Sequence, residues 1–283
     1  MPHSRLANPS ATIAVLKAHG LYTRKALGQH FLIDDNVVGR IIDAASITPG
    51  EPVLEIGPGI GTLTDALLAA EANVVAVEFD DRLLPVLEEL RSEHPELTIV
   101  HADAVTVAPD RLESAAGPPT ALIANLPYAV AATVILRFFE ELPSLQRAVV
   151  MVQAEVADRI AASPGTKAYG SYTVKLALRA RVTTRFAVAP GCFLPPPRVD
   201  SAVVRLERAE RGLPPESLSA AARAADAAFS QRRKTLRNSL AAGLGVTAAE
   251  AGEILRVAGV DASLRAENLP PEEYVSIGHV LDG

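Results

Sequence analysis

Asn125-Leu-Pro-Tyr128 is the stretch of this sequence whose residue types suit the most demanding chemistry. The exocyclic amine of a nucleobase is a poor nucleophile, because its lone pair is delocalised into the ring. Two acceptors that hold the amino hydrogens favour a pyramidal nitrogen and aim its lone pair at an electrophilic methyl group. Asn125 offers a side-chain carbonyl, and Leu126, pushed towards an extended conformation by Pro127, offers a main-chain one. Tyr128 would then stack on the base. The same four residues also suit an ordinary Asn-Pro turn at a strand end, so the reading depends on what lies beside them. The sequence shows no catalytic triad, paired acid and base, or metal-ligand cluster.

The elements that would position this tetrapeptide begin at Val53. Val53-Leu-Glu-Ile-Gly-Pro-Gly-Ile-Gly-Thr-Leu-Thr-Asp-Ala-Leu67 reads as a strand, a glycine-rich turn and a helix start. Gly57, Gly59 and Gly61 remove side chains where the backbone turns tightly, leaving amide groups and a helix N-terminus facing a ligand. The third glycine comes one residue earlier than in the dinucleotide fingerprint, which weakens a nicotinamide or flavin reading. Such turns also occur where nothing binds. Strands at 53–56, 73–77 and 97–100 alternate with helices at 62–70 and 82–90, which predicts an α/β fold with a parallel sheet covered on both faces. Glu78 and Asp103 follow the second and third strands, where a ribose and an adenine amino group would be met. A fourth strand, 120–124, runs into Asn125, and a helix at 131–140 follows. Residues 163–170 read as a mobile loop, and Phe193-Leu-Pro-Pro-Pro-Arg198 as a stiff connection presenting Phe193 and Arg198. Beyond Gly212 the pattern is helical. The expected domains are therefore 1–210, an α/β domain, and 211–283, a small all-α domain.

Charge is segregated along the chain. The net charge is −6. Lys and Arg number 5 against 2 acids over residues 1–40, 8 against 19 over 41–178, 12 against 5 over 179–238, and 2 against 7 over 239–283. The excess in the third segment suggests a nucleic-acid surface, the alternative being arginines paired within the fold. Cys192 is the single cysteine, which excludes an intramolecular disulfide and fits a reducing compartment. With no apolar run of signal-peptide or membrane-span length, the expectation is a soluble, cytoplasmic protein.

Asn125-Leu-Pro-Tyr128 resembles the [Asn/Asp/Ser]-x-Pro-[Tyr/Phe] motif of amino-methyltransferases, and Glu55-Ile-Gly-Pro-Gly-Ile-Gly61 resembles their S-adenosylmethionine loop. Lys25-Ala-Leu-Gly-Gln-His-Phe-Leu32, Phe193-Leu-Pro-Pro-Pro-Arg-Val-Asp-Ser-Ala-Val-Val204, Phe229-Ser-Gln-Arg-Arg-Lys-Thr-Leu-Arg-Asn-Ser239 and Arg265-Ala-Glu-Asn-Leu269 narrow the resemblance to the KsgA (RsmA) family of ribosomal RNA adenine dimethyltransferases. It covers nearly the whole chain. The resemblance implies a Rossmann-like class I methyltransferase sheet, and S-adenosylmethionine without a metal. The implied reaction is dimethylation of the N6 amines of two adjacent adenosines near the 3′ end of 16S ribosomal RNA, by a monomer acting on the small subunit or its precursor. His30, Leu32, Gly57, Gly59, Glu78, Asp103 and Asn125 would contact the cofactor. Phe193 would face Tyr128 across the target base, and Arg24, Lys25, Arg198, Arg232, Arg233, Lys234 and Arg237 would bind RNA. The family commonly has Asn where this chain has His30. The rival readings are an Erm-type methyltransferase of large-subunit RNA, which shares the first two motifs but is disfavoured by residues 193–201 and 229–239, and a small-subunit assembly factor acting mainly by binding.

Overall fold

The computed structural model describes residues 3–21 and 30–283. Within them the chain forms helices α1 (Pro9–Ala18), α2 (Asp35–Ala45), α3 (Thr62–Ala69), α4 (Leu84–Glu93), α5 (Ala131–Glu141), α6 (Ala154–Ile160), α7 (Ser171–Ala177), α8 (Pro215–Ala228), α9 (Leu236–Leu244), α10 (Ala248–Ala258) and α11 (Pro271–Asp282). Its strands are β1 (Phe31–Leu32), β2 (Pro52–Ile56), β3 (Asn73–Glu78), β4 (Leu97–His101), β5 (Ala121–Asn125), β6 (Arg147–Gln153), β7 (Ala180–Val188), β8 (Phe193–Leu194) and β9 (Ser201–Arg208). Two compact units result, Met1–Ala157 with Val182–Arg208, and Asp158–Arg181 with Ala209–Gly283. The last of the three cuts, after Arg208, lies beside the expected boundary at 210. Residues 158–181 group with the C-terminal helices instead, because Tyr169, Val174 and Leu178 bury their side chains in the same core as Ala224, Leu240 and Tyr274.

The first unit is built on a seven-stranded sheet in the order β4-β3-β2-β5-β6-β9-β7. Its first five strands are parallel, and Val53, Leu54, Val74, Val75, Ile123 and Val149 are almost wholly buried, as strands covered on both faces require. The sheet is mixed rather than wholly parallel. β9 runs antiparallel to β6, with Arg147 opposite Glu207 and Gln153 opposite Ser201. β2 pairs with both β3 and β5, so the chain switches direction of travel there and leaves a crevice at the strands' carboxyl ends. α2 begins as its sequence suggests. The Asp34 carboxylate accepts from the Asn36 and Val37 N–H groups, and Val37, Val38, Ile41 and Ala45 form the buried stripe.

Several arginines of this unit are structural. Arg147 and Arg205 donate to the Ala45 and Ala44 carbonyls at the end of α2, each at 2.6 Å, and Arg147 also pairs with Glu51 at 2.7 Å. Arg208 donates to the carbonyls of Phe139 and Leu142 at the end of α5. Cations there complement the helix dipole and satisfy carbonyls that the helix leaves unpaired.

The second unit packs α8 through its alanines. Ala220, Ala221, Ala224, Ala225 and Ala228 are buried, and a side chain at Gly278 of α11 would stand 2.6 Å from the Ala221 nitrogen. The expected mobile loop at 163–170 is tied down. The Gly165 N–H donates to the Glu267 carbonyl at 2.6 Å, the buried Tyr169 donates its hydroxyl to the Leu269 carbonyl at 2.8 Å, and Arg232 donates to the Lys167 carbonyl.

Candidate active site

The three glycines after β2 have φ of +68°, +63° and +85°, values that favour glycine over any residue with a side chain. A Cβ at Gly57 would lie 3.2 Å from the Pro127 ring, and one at Gly59 would lie 3.3 Å from the Phe31 ring. The loop is thus pressed between β1 and the Asn125–Tyr128 turn. Beneath it opens a cavity of about 540 Å³, in the usual size range for a small-molecule site.

Each wall of the cavity comes from a different strand end. At the end of β3 the Glu78 carboxylate accepts from the N–H groups of Gly59 at 3.1 Å, Phe79 at 2.9 Å and Asp80 at 2.8 Å, so it holds the glycine loop in place. Burial raises the pKa of this carboxyl, the backbone donors oppose the rise, and the Asp80 charge adds to it. Asp103, after β4, is exposed and accepts from the Val105 N–H at 2.8 Å. Arg137 of α5 donates to the Ala104 carbonyl at 2.7 Å and also to that of Val107, which fixes the Asp103 loop. At the end of β5, Asn125 turns its Nδ2 towards the His30 carbonyl at 3.4 Å, which leaves Oδ1 free to accept from another group. Leu126 and Pro127 line the cavity beside it.

Tyr128 completes the turn. Its hydroxyl shares a hydrogen bond with Ser201 Oγ at 2.7 Å, and burial raises its pKa against the influence of that bond. The His30 ring lies against the Tyr128 ring, with centroids 5.9 Å apart and planes 29° from parallel. His30 Nδ1 is 2.8 Å from the Pro195 carbonyl, which only accepts, so Nδ1 carries a proton.

The structure therefore brings His30, Leu32, Gly57, Gly59, Glu78, Asp103, Asn125, Leu126 and Tyr128 around one cavity. Phe193 is not among its lining residues. It is 2% exposed and lies in the hydrophobic core, because the two-residue pairing of β8 with β1 sets it opposite Leu32. Arg198 is exposed on the connection to β9. Arg232, Arg233, Lys234 and Arg237 are exposed around the α8–α9 turn of the helical unit, but Arg232 also pairs with Glu267 at 3.2 Å. Arg24 and Lys25 lie outside the described residues.

Three features of the site were not singled out from sequence. Arg137 carries only an i,i+4 pairing with Glu141 as a local signal, and its carbonyl partners reach it only through the fold. Thr62, at the start of α3, has a buried hydroxyl with no hydrogen-bond partner, and it lines the cavity. Glu55 is fully buried, accepts from Thr64 Oγ1 at 2.7 Å, and has its pKa pushed up to about 8 by burial, with a further contribution from Glu78. An acid inside the otherwise apolar run Val53-Leu-Glu-Ile was its available signal.

The family model described as ribosomal RNA adenine dimethylase matches residues 20–282. The chain belongs to this family. It is 45% identical over 280 residues to ribosomal RNA small subunit methyltransferase A of Rhodococcus opacus, covering 96% of this chain and 93% of that one. The solved dimethyladenosine transferase of Plasmodium falciparum is 25% identical, with a TM-score of 0.73 over 88% of this chain and 96% of its own. The 23S rRNA methyltransferase ErmE is 28% identical, with a TM-score of 0.65 over 89% of this chain and 100% of its own. The fold of this dimethylase is thus the class I methyltransferase sheet with a helical C-terminal region.

Proposed function

We propose that the chain is an S-adenosylmethionine-dependent dimethyltransferase of two adjacent adenosines in the 16S rRNA hairpin near the 3′ end of the small-subunit RNA. The observation that carries this reading is the Asn125 amide, its nitrogen committed to His30 and its oxygen left for an amine, in the same cavity as the glycine loop. The residues fit the cofactor. Gly57 and Gly59 leave a cradle that side chains would fill, and the Thr62 hydroxyl is buried without a partner. Glu78 would meet the ribose, Asp103 the adenine, and the glycine loop with His30 and Leu32 the rest. Bound there, S-adenosylmethionine supplies an electrophilic methyl group on its sulfonium.

The chain's own residues then act on the target. Asn125 Oδ1 and the Leu126 carbonyl accept the two amine hydrogens and orient the nitrogen lone pair, and Tyr128 offers a ring face to the base. Arg198, Arg233, Lys234 and Arg237 would contact phosphates, with the helical unit as the RNA-recognition part and the sheet unit as the cofactor-binding part. This reading has the enzyme acting as a cytoplasmic monomer. Among the described residues no helix is long and apolar enough to cross a membrane. The test is incubation with isotope-labelled cofactor and unmethylated small subunits, large subunits or free RNA, followed by mapping of dimethyladenosine. Label on two adjacent small-subunit adenosines is the expected result. Label confined to large-subunit RNA would favour an Erm-type enzyme, and tight particle binding without label an assembly factor.

A further inference from the structure

The carboxylate assigned to the cofactor's adenine stands on a loop, not on a strand. β4 ends at His101, and residues 102–120 run to β5 with a short 3₁₀ turn (Pro109–Leu112) in place of an α-helix. In the sheet β4 and β5 are separated by β3 and β2, so no ladder bond joins their ends. The Ala102 N–H donates to the Glu78 carbonyl at 3.0 Å, which fixes the start of the connection. The next five residues close on Asp103. Its main-chain carbonyl accepts from the Thr106 and Val107 N–H groups at 3.1 and 2.8 Å, and its Oδ1 accepts from the Val105 N–H at 2.8 Å, which leaves Oδ2 for another donor. Arg137 ties this turn to α5. Its Nη1 donates to the Ala104 carbonyl at 2.7 Å and its Nη2 to the Val107 carbonyl, while Nε donates to Glu141 at 2.9 Å. Ala104 and Val107 are buried, and the arginine side chain is 13% exposed. Two carbonyls three residues apart are thus gripped by one planar fork.

From this geometry we infer that Arg137 is a positioning residue for the cofactor: it holds the Asp103 carboxylate in register with the adenine amino group, and so sets the preference for that group over a carbonyl. The inference rests on the Asp103–adenine reading given above. Arg137 is not among the residues lining the cavity, so it acts through the loop and not by contact. An acceptor discriminates against a missing amino group only where it cannot follow the substitute or turn to water instead. The two bonds from Arg137 remove that freedom from the Asp103 turn. α5 begins directly after the Asn125–Tyr128 turn, so the same side chain joins the adenine end of the cavity to the element that follows its methyl-transfer end.

The test uses the full chain and two ligands, S-adenosylhomocysteine and S-inosylhomocysteine, which carry an amino group and a carbonyl at the same ring position. Calorimetry gives their Kd values, and methylation of small subunits gives the cofactor KM and kcat. The parent should bind the adenosyl ligand at least tenfold more tightly, the scale of one hydrogen bond. Arg137→Ala should raise the adenosyl Kd about tenfold and leave the inosyl Kd within twofold, which also certifies the fold. Cofactor KM should rise in step, while kcat at saturating cofactor stays within twofold. Arg137→Lys, which offers a point donor in place of the fork, should fall between the two and serves if the alanine protein fails to fold. Asp103→Ala should abolish the preference by itself, and Arg137→Ala added to it should change adenosyl binding by less than a further twofold. The inference is overturned if the Arg137 variants weaken both ligands equally, if they keep the parent's preference, or if the Asp103 and Arg137 effects add. A parent that binds both ligands equally would sink the adenine assignment of Asp103, and the inference with it, a result distinct from those.

Discussion

The Asn125–Tyr128 turn and the Arg232–Arg237 run both read from sequence as RNA-facing, yet the fold treats them differently. The turn is held by backbone packing and neutral hydrogen bonds, with the Asn125 oxygen left unspent in a cavity. In the basic run the first arginine is spent on the Lys167 carbonyl and Glu267, and Arg233 and Lys234 remain exposed. The same holds across the arginine-rich segment 179–238. Arg205 and Arg208 cap helix carbonyls, Arg211 pairs with Glu272 at 2.6 Å, and Arg223 pairs with Asp282. A count of charge along a chain thus overstates the charge available to a polyanion. Residue types that depend on geometry, such as a glycine with positive φ or an amide acceptor, translate more directly into a site.

The largest effect should come from the turn. Asn125→Ala removes the acceptor proposed to act on the reacting amine, and kcat should fall at least 100-fold, the scale of losing one oriented polar group, while RNA affinity changes only a few-fold. Single-turnover methyl transfer together with a binding titration measures the split. Equal losses in both would merge the two regions into one binding surface.

The next effect lies beneath the glycine loop. Glu55 has a pKa raised from 4.5 to about 8, so the folded state holds its proton more tightly than the unfolded chain does. Its contribution to stability is therefore undiminished below about pH 4.5 and declines as pH rises through 8, by an amount bounded at roughly 5 kcal/mol. Glu55→Gln should flatten the fall in urea stability between pH 5 and pH 9. An unaltered pH profile would show that Glu55 ionises normally.

Arg232→Ala should act on stability more than on binding. It removes the Glu267 pair and the Lys167 carbonyl contact of a half-exposed side chain, worth about 1 kcal/mol together. Chemical denaturation should register that loss, with RNA affinity falling less than for Arg233→Ala. The reverse order would restore Arg232 to the RNA surface.

The strands, the glycine loop and the strand-end acids were legible because each answers to local rules: apolar runs, positive φ, and a carboxylate where a parallel strand ends. The antiparallel arrival of β9 was not, since its pairing with β6 is a tertiary contact that leaves no mark on either strand. The burial of Phe193 was not legible for the same reason. Its proline-rich neighbours correctly indicate a stiff connection, but only the pairing with Leu32 decides that the ring is enclosed by the core. The 163–170 segment has loop composition, and the partners that hold it, Glu267 and Leu269, lie a hundred residues away. Arg137 is the extreme case: its pair with Glu141 is a local helix contact, but the Ala104 and Val107 carbonyls that make it structural come together only in the folded chain.

The separation of chemistry from charge is tested most directly by the salt dependence of RNA binding in an Arg233→Ala/Lys234→Ala variant. Each lost phosphate contact should reduce the slope of log affinity against log salt by about 0.7 to 0.9, so the double variant should lose about 1.5 units. Its kcat at saturating RNA should match the parent's. A salt slope identical to the parent's, or a kcat that falls in step with affinity, would contradict the account.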